Sequence, residues 1–336
     1  MDDILEIQVV PYSPQWHIQL LDYMRTVYPN RNVKYLEWWL SSMDSGNEED
    51  WQKCFIVFEG EEIIGCTTAI PIELICDGIK RDFYLRGNTI ISPEKRGRGV
   101  SKLLYDKVNS YTNWLSVGIT DIAWKIQPKF VKSFTPIHPI NVYVALNGWI
   151  LSQLVRLLLK SPSRIMDFPM QINMSNDESF VRINSVKELI FLEKDRWIFD
   201  SVELIRDESY LQKRFFDIYC AKWYAIYRYE KHGKTEGYIV LRKIAYKGIE
   251  MVSVVDYRFG NRDDERKAFW LAQKVARRNR IGLVFAMSSR KYHFFGNPFL
   301  IATPKKLNCA TGSKDIDFSD MLFTSADSDL DFVYYG

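Results

Sequence analysis

Residues 96–99 read Arg-Gly-Arg-Gly, and Pro93 stands three positions upstream. Two glycines so placed let backbone N–H groups close around a ligand, because no Cβ intervenes. The two arginines add charge of the sign that a phosphate attracts. Downstream, Val100, Leu103, Leu104 and Val108 recur at helical spacing. A helix that begins there turns its unpaired N–H groups and the positive end of its dipole toward the glycines. Upstream, residues 85–91 read as a strand, which Pro93 ends because proline cannot donate to a ladder. Strand, glycine turn and helix together form an anion cradle suited to a polyphosphate. No Gly-x-Gly-x-x-Gly follows a strand directly, and no Gly-Lys-Ser/Thr follows the turn, so neither the dinucleotide-binding nor the Walker pattern applies.

The stretch Pro93-x-x-Arg96-Gly97-Arg98-Gly99-Val100-Ser101-x-x-Leu104 resembles the acyl-CoA pyrophosphate loop of the GNAT acyltransferase superfamily. The family pattern is (Gln/Arg)-x-x-Gly-x-(Gly/Ala). Arg96 and Gly99 match it, and Ser101 stands where the family has Gly or Ala. The resemblance implies that the backbone of Arg96, Gly97, Arg98, Gly99, Val100 and Ser101 holds the pyrophosphate of acetyl-CoA. It implies that Ile90, Ile91 and Ser92 pair with the pantetheine amides as an added strand, and that the acyl group passes to an amine.

The family's acid and base are less easily placed. A tyrosine four residues before the glycine of a closing Gly-Phe/Trp commonly protonates the leaving thiolate. Here Gly148-Trp149 supplies that pair, and the position is Val144. Tyr143 is its neighbour and points about 100° away on a regular helix. It serves only if the helix is irregular, which Pro136 and Pro139 allow; otherwise it is a core aromatic. His138 has the chemistry for proton transfer near neutral pH, against a merely structural or exposed role. No glutamate marks a base on the strand before the loop. Arg86, Asn88 and Asp121 are expected on the two strands that splay around the site. Asp121, the one carboxylate of the three, is the candidate base, with a cap or salt bridge as the alternative.

These residues need elements to hold them. The chain has 336 residues, 47% hydrophobic and 15% aromatic, which is ample for two cores. A net charge of +3 argues for no nucleic-acid partner. Five scattered cysteines indicate a reducing compartment, and the four histidines show no metal-ligand spacing, so no metal is expected. An acidic start without an apolar core, and no 18-residue apolar run, lead to a cytoplasmic expectation without a membrane span.

In order, the pattern predicts a strand at 6–10, helices at 14–28 and 33–43, and a polar loop at 42–50. A hairpin of 54–58 with 63–69, a strand at 79–91, a helix at 100–112 and a strand at 117–126 follow. A helix at 140–147 is expected to end on Gly148 as a left-handed cap. Residues 150–160 place Leu151, Leu154, Val155, Leu158 and Leu159 on one face. That face suits packing between domains, with a membrane surface as the alternative. Ser161-Pro162-Ser163 and Pro169 read as a linker.

The second half echoes the first. Tyr210 to Phe215 is similar to Tyr35 to Leu40, and each is followed by an aromatic strand, a charged turn and a strand carrying glycine. A strand at 249–255, a helix at 263–279 and a strand at 281–287 complete the copy. Its loop, 256–264, has one glycine and the acids Asp256, Asp263 and Asp264, a poor phosphate cradle. The basic end of helix 263–279 reads as dipole partners rather than a nucleic-acid patch. The tail from Thr324 to Asp331 reads as a solvated terminus or the lining of an amine site, and the resemblance to tandem GNAT proteins, which often close with such a Ser/Asp motif, implies an ordered terminus.

The expected fold is thus α/β (α+β): two tandem GNAT-like domains, each a mixed, mostly antiparallel sheet flanked by helices. Residues 1–165 form the loaded domain and 166–336 the degenerate one. The expected function is N-acetyl transfer from acetyl-CoA to a small amine-bearing acceptor bound between the domains. A Fem-type aminoacyl or peptidyl transferase is an alternative, against which the intact loop counts. A non-catalytic acyl-CoA-binding protein is another, kept open by Val144 and the missing glutamate.

Overall fold

The structure is a computed structural model that describes residues 6–29, 31–41, 54–109, 113–162, 165–189, 202–290 and 300–327. Its strands are β1 (Ile7–Pro11), β2 (Phe55–Glu59), β3 (Glu62–Cys76), β4 (Ile79–Ile91), β5 (Trp114–Ile119), β6 (Thr135–Leu146), β7 (Gln171–Asn173) and β8 (Glu178–Ile183). They continue with β9 (Val202–Leu204), β10 (Tyr224–Lys231), β11 (Lys234–Tyr246), β12 (Ile249–Phe259), β13 (Leu283–Ser288), β14 (Leu300–Thr311) and β15 (Met321–Leu322). Proximity of Cα atoms divides the chain into two compact units. One comprises Met1–Leu74, Lys80–His138 and Leu307–Ser319; the other comprises Ile75–Ile79, Pro139–Lys306 and Asp320–Gly336. This differs from a division at residue 165: residues 139–165 group with the second unit, and Leu307–Ser319 groups with the first.

In the first unit β1 runs antiparallel to β2, and β2 forms a hairpin with β3. β4 lies parallel to β5 from Tyr84↔Trp114 to Arg86↔Ser116. Between them runs the helix Val100–Val108, which buries Val100, Leu104, Tyr105 and Val108. That i, i+4, i+5, i+8 spacing forms one helical stripe. It packs on Phe55, Val57, Ile64 and Trp114.

The second unit repeats this order. β10, β11 and β12 are antiparallel neighbours, and β12 is parallel to β13 across the helix Arg266–Arg278. Registers repeat as well. Val57 faces Gly65 just before a register shift, and Tyr229 faces Gly237 just before the same shift. Both glycines permit a close backbone approach. A Cβ at Gly65 would stand 3.1 Å from the Ile90 carbonyl oxygen, and one at Gly237 2.8 Å from that of Arg258.

In each unit one strand comes from the other half of the chain. β6 follows β5 in the chain but pairs with β13, from Leu283↔Leu146 to Ser288↔Asn141. β14 follows β13 but pairs with β5, from Asn308↔Ile119 to Thr311↔Leu115. Cys309 and Ala310 are fully buried there, and the Thr311 hydroxyl donates to the Trp114 carbonyl at 2.8 Å. A chain ended at residue 306 should therefore leave β5 with an unpaired edge. The first unit is expected to lose its cooperative calorimetric transition, and a full-size transition in the truncated chain would exclude this dependence.

Three sequence expectations change. The strand expected at 117–126 is β5 followed by the helix Asp121–Phe130, with the Thr120 side chain accepting from the Ala123 N–H at 3.3 Å. The apolar run 117–126 fits either element by periodicity, and the Thr120 cap decides it. The helix expected at 140–147 is strand, its β-branched Ile140 and Val142 buried in alternation. Gly148 therefore caps no preceding helix; it leads into the helix Ile150–Leu158. That helix exists as expected, but its apolar positions are exposed rather than packed. The polar loop at 42–50 and residues 328–331 of the tail lie outside the described residues. No helix among the described residues is long and apolar enough to cross a membrane.

Candidate active site

The site is built where β4 leaves its partner. Pairing with β5 ends at Arg86↔Ser116, while β4 continues to Ile91. Asn88 has φ +46°, a left-handed residue within a strand, which bends β4 away at that point. The gap between residues 87–91 and the end of β5 is a wedge with β4 backbone along one side. Arg86 stands at its apex, buried, with its guanidinium 4.3 Å from the Trp114 ring centroid. Burial lowers its pKa to about 10.

Beyond the wedge the Ser92 N–H donates to the Ile64 carbonyl at 2.9 Å, fixing the strand end. The Ser92 hydroxyl donates to the Tyr23 hydroxyl at 3.4 Å. Pro93–Lys95 forms one 3₁₀ turn. Gly97 and Gly99 follow with φ +81° and +82°, and the helix begins at Val100. The helix start turns the N–H groups of Gly99 to Ser101 outward, without intrahelical acceptors. A Cβ on either glycine would meet nothing within 4 Å. Glycine is therefore required by the dihedral angle and not by crowding, and the open side of the loop is left for a ligand. These residues fit an acyl-CoA pyrophosphate.

The basic side chains behave differently from the sequence expectation. Arg98 donates to Glu59 at 2.5 Å, and Lys95 donates to the other oxygen of the same carboxylate at 2.5 Å. The Arg98 and Lys95 bonds hold the Glu59 carboxyl below the usual range. Arg98 thus ties the loop to β2. Arg96 is exposed, with its Nε donating to the Ile91 carbonyl at 3.2 Å. Glu59 belongs to the site although the sequence reading placed it only in a turn. Its signal was a carboxylate at the strand end facing a loop with three cations.

The equivalent loop of the second unit runs from Gly260 to Glu265, six residues against eight from Ser92 to Gly99. The Gly260 N–H donates to the Glu236 carbonyl at 2.9 Å, the counterpart of Ser92 and Ile64. No residue of that loop has positive φ. Its own carboxylates occupy the turn: Asp264 pairs with Lys267 at 2.8 Å, and Glu265 with Arg290. Burial pushes the Glu265 carboxyl up to about 7, outweighing Arg290. A folded state that keeps this proton loses stability as pH rises from about 4.5 to 7, where the unfolded carboxyl has already released it. Glu265→Gln is expected to flatten that slope, so its melting-temperature difference from wild type should grow more positive across this window. A constant difference would refute the assignment.

The remaining expected site residues are dispersed. Asp121 is exposed in the first turn of the helix Asp121–Phe130, not on β5, and a carboxylate there complements the helix dipole. His138 is half-buried on β6, the last residue of its segment of the first unit. Tyr143 lies in the core of the second unit, where it packs edge-on against Phe269 and donates its hydroxyl to the Arg290 carbonyl at 2.8 Å. Burial pushes its phenol to about 12.

Asp256 is not in the loop but buried on β12, paired with Arg206 at 3.2 Å. The tail is ordered through Asp327, which binds the same Arg206 at 2.6 Å. Its partner is thus the chain's own guanidinium. Among the described residues no group of three His, Cys, Asp or Glu side chains could hold a metal ion.

No protein-family profile and no curated protein matches the chain. Solved structures do. A GCN5-related N-acetyltransferase from Anabaena variabilis has a TM-score of 0.61 at 12% identity, over 91% of this chain and 72% of that one. A probable N-acyltransferase from Enterococcus faecalis has a TM-score of 0.61 at 14% identity, over 92% and 73%. Saccharomyces cerevisiae N-myristoyltransferase with bound myristoyl-CoA has a TM-score of 0.52 at 13% identity, over 85% and 75%. At these identities the likeness is one of fold, and the fold over 91% of the chain is that of a GCN5-related N-acetyltransferase.

Proposed function

We propose that the chain is an acyltransferase that moves the acyl group of an acyl-CoA, acetyl-CoA first among them, to the amine of a small acceptor. One observation carries this reading. Two left-handed glycines, Gly97 and Gly99, open a helix N-terminus just after the stretch of β4 that has left its pairing with β5 in the same unit. The neighbours that share the fold and are named as acyltransferases support it.

In this reading the N–H groups from Arg96 to Ser101 hold the pyrophosphate. The free edge of β4 from Ile90 to Ser92 pairs with pantetheine in the wedge that β5 leaves open. A strand N–H polarises the thioester carbonyl. The acceptor attacks as the free amine. Its nitrogen bonds to the carbonyl carbon, the tetrahedral adduct expels the thiolate, and the amine proton leaves to a base while the thiolate takes up another. Asp121 and His138 belong to the same unit as the loop. Tyr143 has its hydroxyl committed to the Arg290 carbonyl. We therefore assign the proton steps to His138 and Asp121 ahead of Tyr143. Tyr143→Phe is expected to keep turnover within about threefold while costing roughly 1 kcal/mol of stability for one lost hydrogen bond. A hundredfold fall in turnover with unchanged melting would reverse that ranking.

An amine screen with acetyl-CoA, followed by thiol release, tests the reaction. No amine giving release above background hydrolysis would remove the catalytic part and leave the binding part. Titration calorimetry tests binding separately. The Gly260–Glu265 loop offers no left-handed glycine and fills itself with carboxylates, so one CoA per chain is expected. Two per chain would refute the degenerate second loop.

A further inference from the structure

The helix Ile150–Leu158 is built inside out. Its polar side chains face the protein: Gln153 accepts from the Gly282 N–H at 2.7 Å and donates to the Glu250 carbonyl. Arg156 donates to the Glu250 carboxylate at 3.2 Å, and Lys243 pairs with that same group at 2.6 Å. Its apolar side chains face outward. Leu151 is 72% exposed and Leu158 82%, with Trp149, Leu154, Val155 and Leu159 exposed beside them. Positions 151, 154, 155 and 158 form one unbroken helical stripe. An apolar surface that a helix takes the trouble to segregate, while anchoring its polar face by buried hydrogen bonds, marks a contact surface.

The rim identifies the occupant. Lys160 lies in the turn just past the helix end and is exposed. Arg280 lies over the Trp149 ring, 5.4 Å from its centroid. The turn at Lys247-Gly248 touches Leu157, and Lys247 and Tyr246 are exposed there. From Ile150 to Lys160 the sequence has Arg156 and Lys160 and no acid. Glu250, the acid to which Arg156 is bonded, is buried and neutralised from two sides. Apolar residues ringed by cations, with a tryptophan and a tyrosine at the edge, match the boundary between headgroups and acyl chains of an anionic bilayer. A symmetric second copy would set Lys160, Lys247 and Arg280 against themselves. At nine residues the helix is too short to span and suits lying in the interface plane.

We propose that this face docks the chain on anionic membrane surfaces, by insertion of the Leu151–Leu158 stripe between lipid headgroups that pair with the basic rim. Neither signal suffices alone, so binding should need both apolar insertion and negative lipid. Cosedimentation of the full chain with vesicles tests it. Phosphatidylcholine vesicles containing phosphatidylserine should carry the wild type down, pure phosphatidylcholine vesicles should not, and high salt should release it. The double variant Leu154→Glu/Leu158→Glu is expected to lose at least about tenfold in partitioning, since two leucines of the inserting stripe become charges, with melting temperature unchanged. Lys160→Glu/Lys247→Glu, outside the apolar stripe, should lose binding to the anionic vesicles by a similar factor and covers the case in which the first variant misfolds. The proposal falls if the wild type stays in the supernatant at low salt, or if both folded variants bind as wild type. It falls equally if light scattering shows a wild-type dimer that Leu154→Glu/Leu158→Glu converts to monomer, because a second copy would then be the occupant.

Discussion

Gly99→Glu is expected to abolish acyl-CoA binding in a first unit that remains folded. Gly99 has φ +82°, which costs an L-residue roughly 1–2 kcal/mol. Relief of that strain rotates the N–H groups of the helix start away from the ligand. The new carboxylate also projects into the open side of the loop, where a Cβ meets no atom within 4 Å. A like charge about 4 Å from a phosphate costs about 4 kcal/mol at the effective dielectric of a protein surface. Half of that sum already corresponds to a Kd raised about a hundredfold, and the whole to more than a thousandfold. Gly99→Asn is the informative control, because asparagine tolerates left-handed dihedrals and brings no charge. It should keep affinity within about tenfold. Calorimetry with acetyl-CoA reads both. Unchanged affinity in a folded Gly99→Glu chain would take the loop out of the site.

The largest stability effect is expected at Arg206. Its guanidinium is fully buried and joins Asp256 at 3.2 Å to Asp327 at 2.6 Å. Tyr238 and Thr324 also donate to Asp256, at 2.6 and 2.9 Å. The cluster therefore fastens the chain's last described turn to β12. Arg206→Met leaves two buried carboxylates without their cation, a change that costs roughly 3–5 kcal/mol. Burial already lifts the Asp327 carboxyl above its ordinary range despite Arg206. Without the arginine the Asp327 carboxyl should rise further, so the variant's deficit should shrink as pH falls and it protonates. Urea denaturation across pH measures this. The triple variant Arg206→Met/Asp256→Asn/Asp327→Asn removes the charges together and should cost less than Arg206→Met alone. A cost below about 1 kcal/mol for Arg206→Met would mean that the tail is held by other contacts.

The double-glycine loop, the strand before it and the helix after it were legible in the sequence because their signals are local. Pro93 ends a ladder, Gly97 and Gly99 supply positive φ, and apolar spacing turns from strand to helix within a few residues. That the second loop lacks a second glycine and is rich in acids was legible for the same reason, as charge and glycine content are read without knowing any contact.

What the sequence could not decide depends on partners far along the chain. Residues 140–147 pair with β13 and so become a strand, although the Gly148-Trp149 ending reads as the close of a helix. β14 pairs with β5 across a separation that no local pattern records. Asp327 meets Arg206 from 121 positions away, which turns an acidic tail into a buried ion cluster. Glu59 meets Arg98 from 39 positions away and converts an expected phosphate ligand into a brace for the loop. The helix Ile150–Leu158 carries the stripe that its spacing predicts, yet spacing defines a face and not a direction. Only the buried hydrogen bonds of Gln153 and the part-buried one of Arg156 turn that stripe outward.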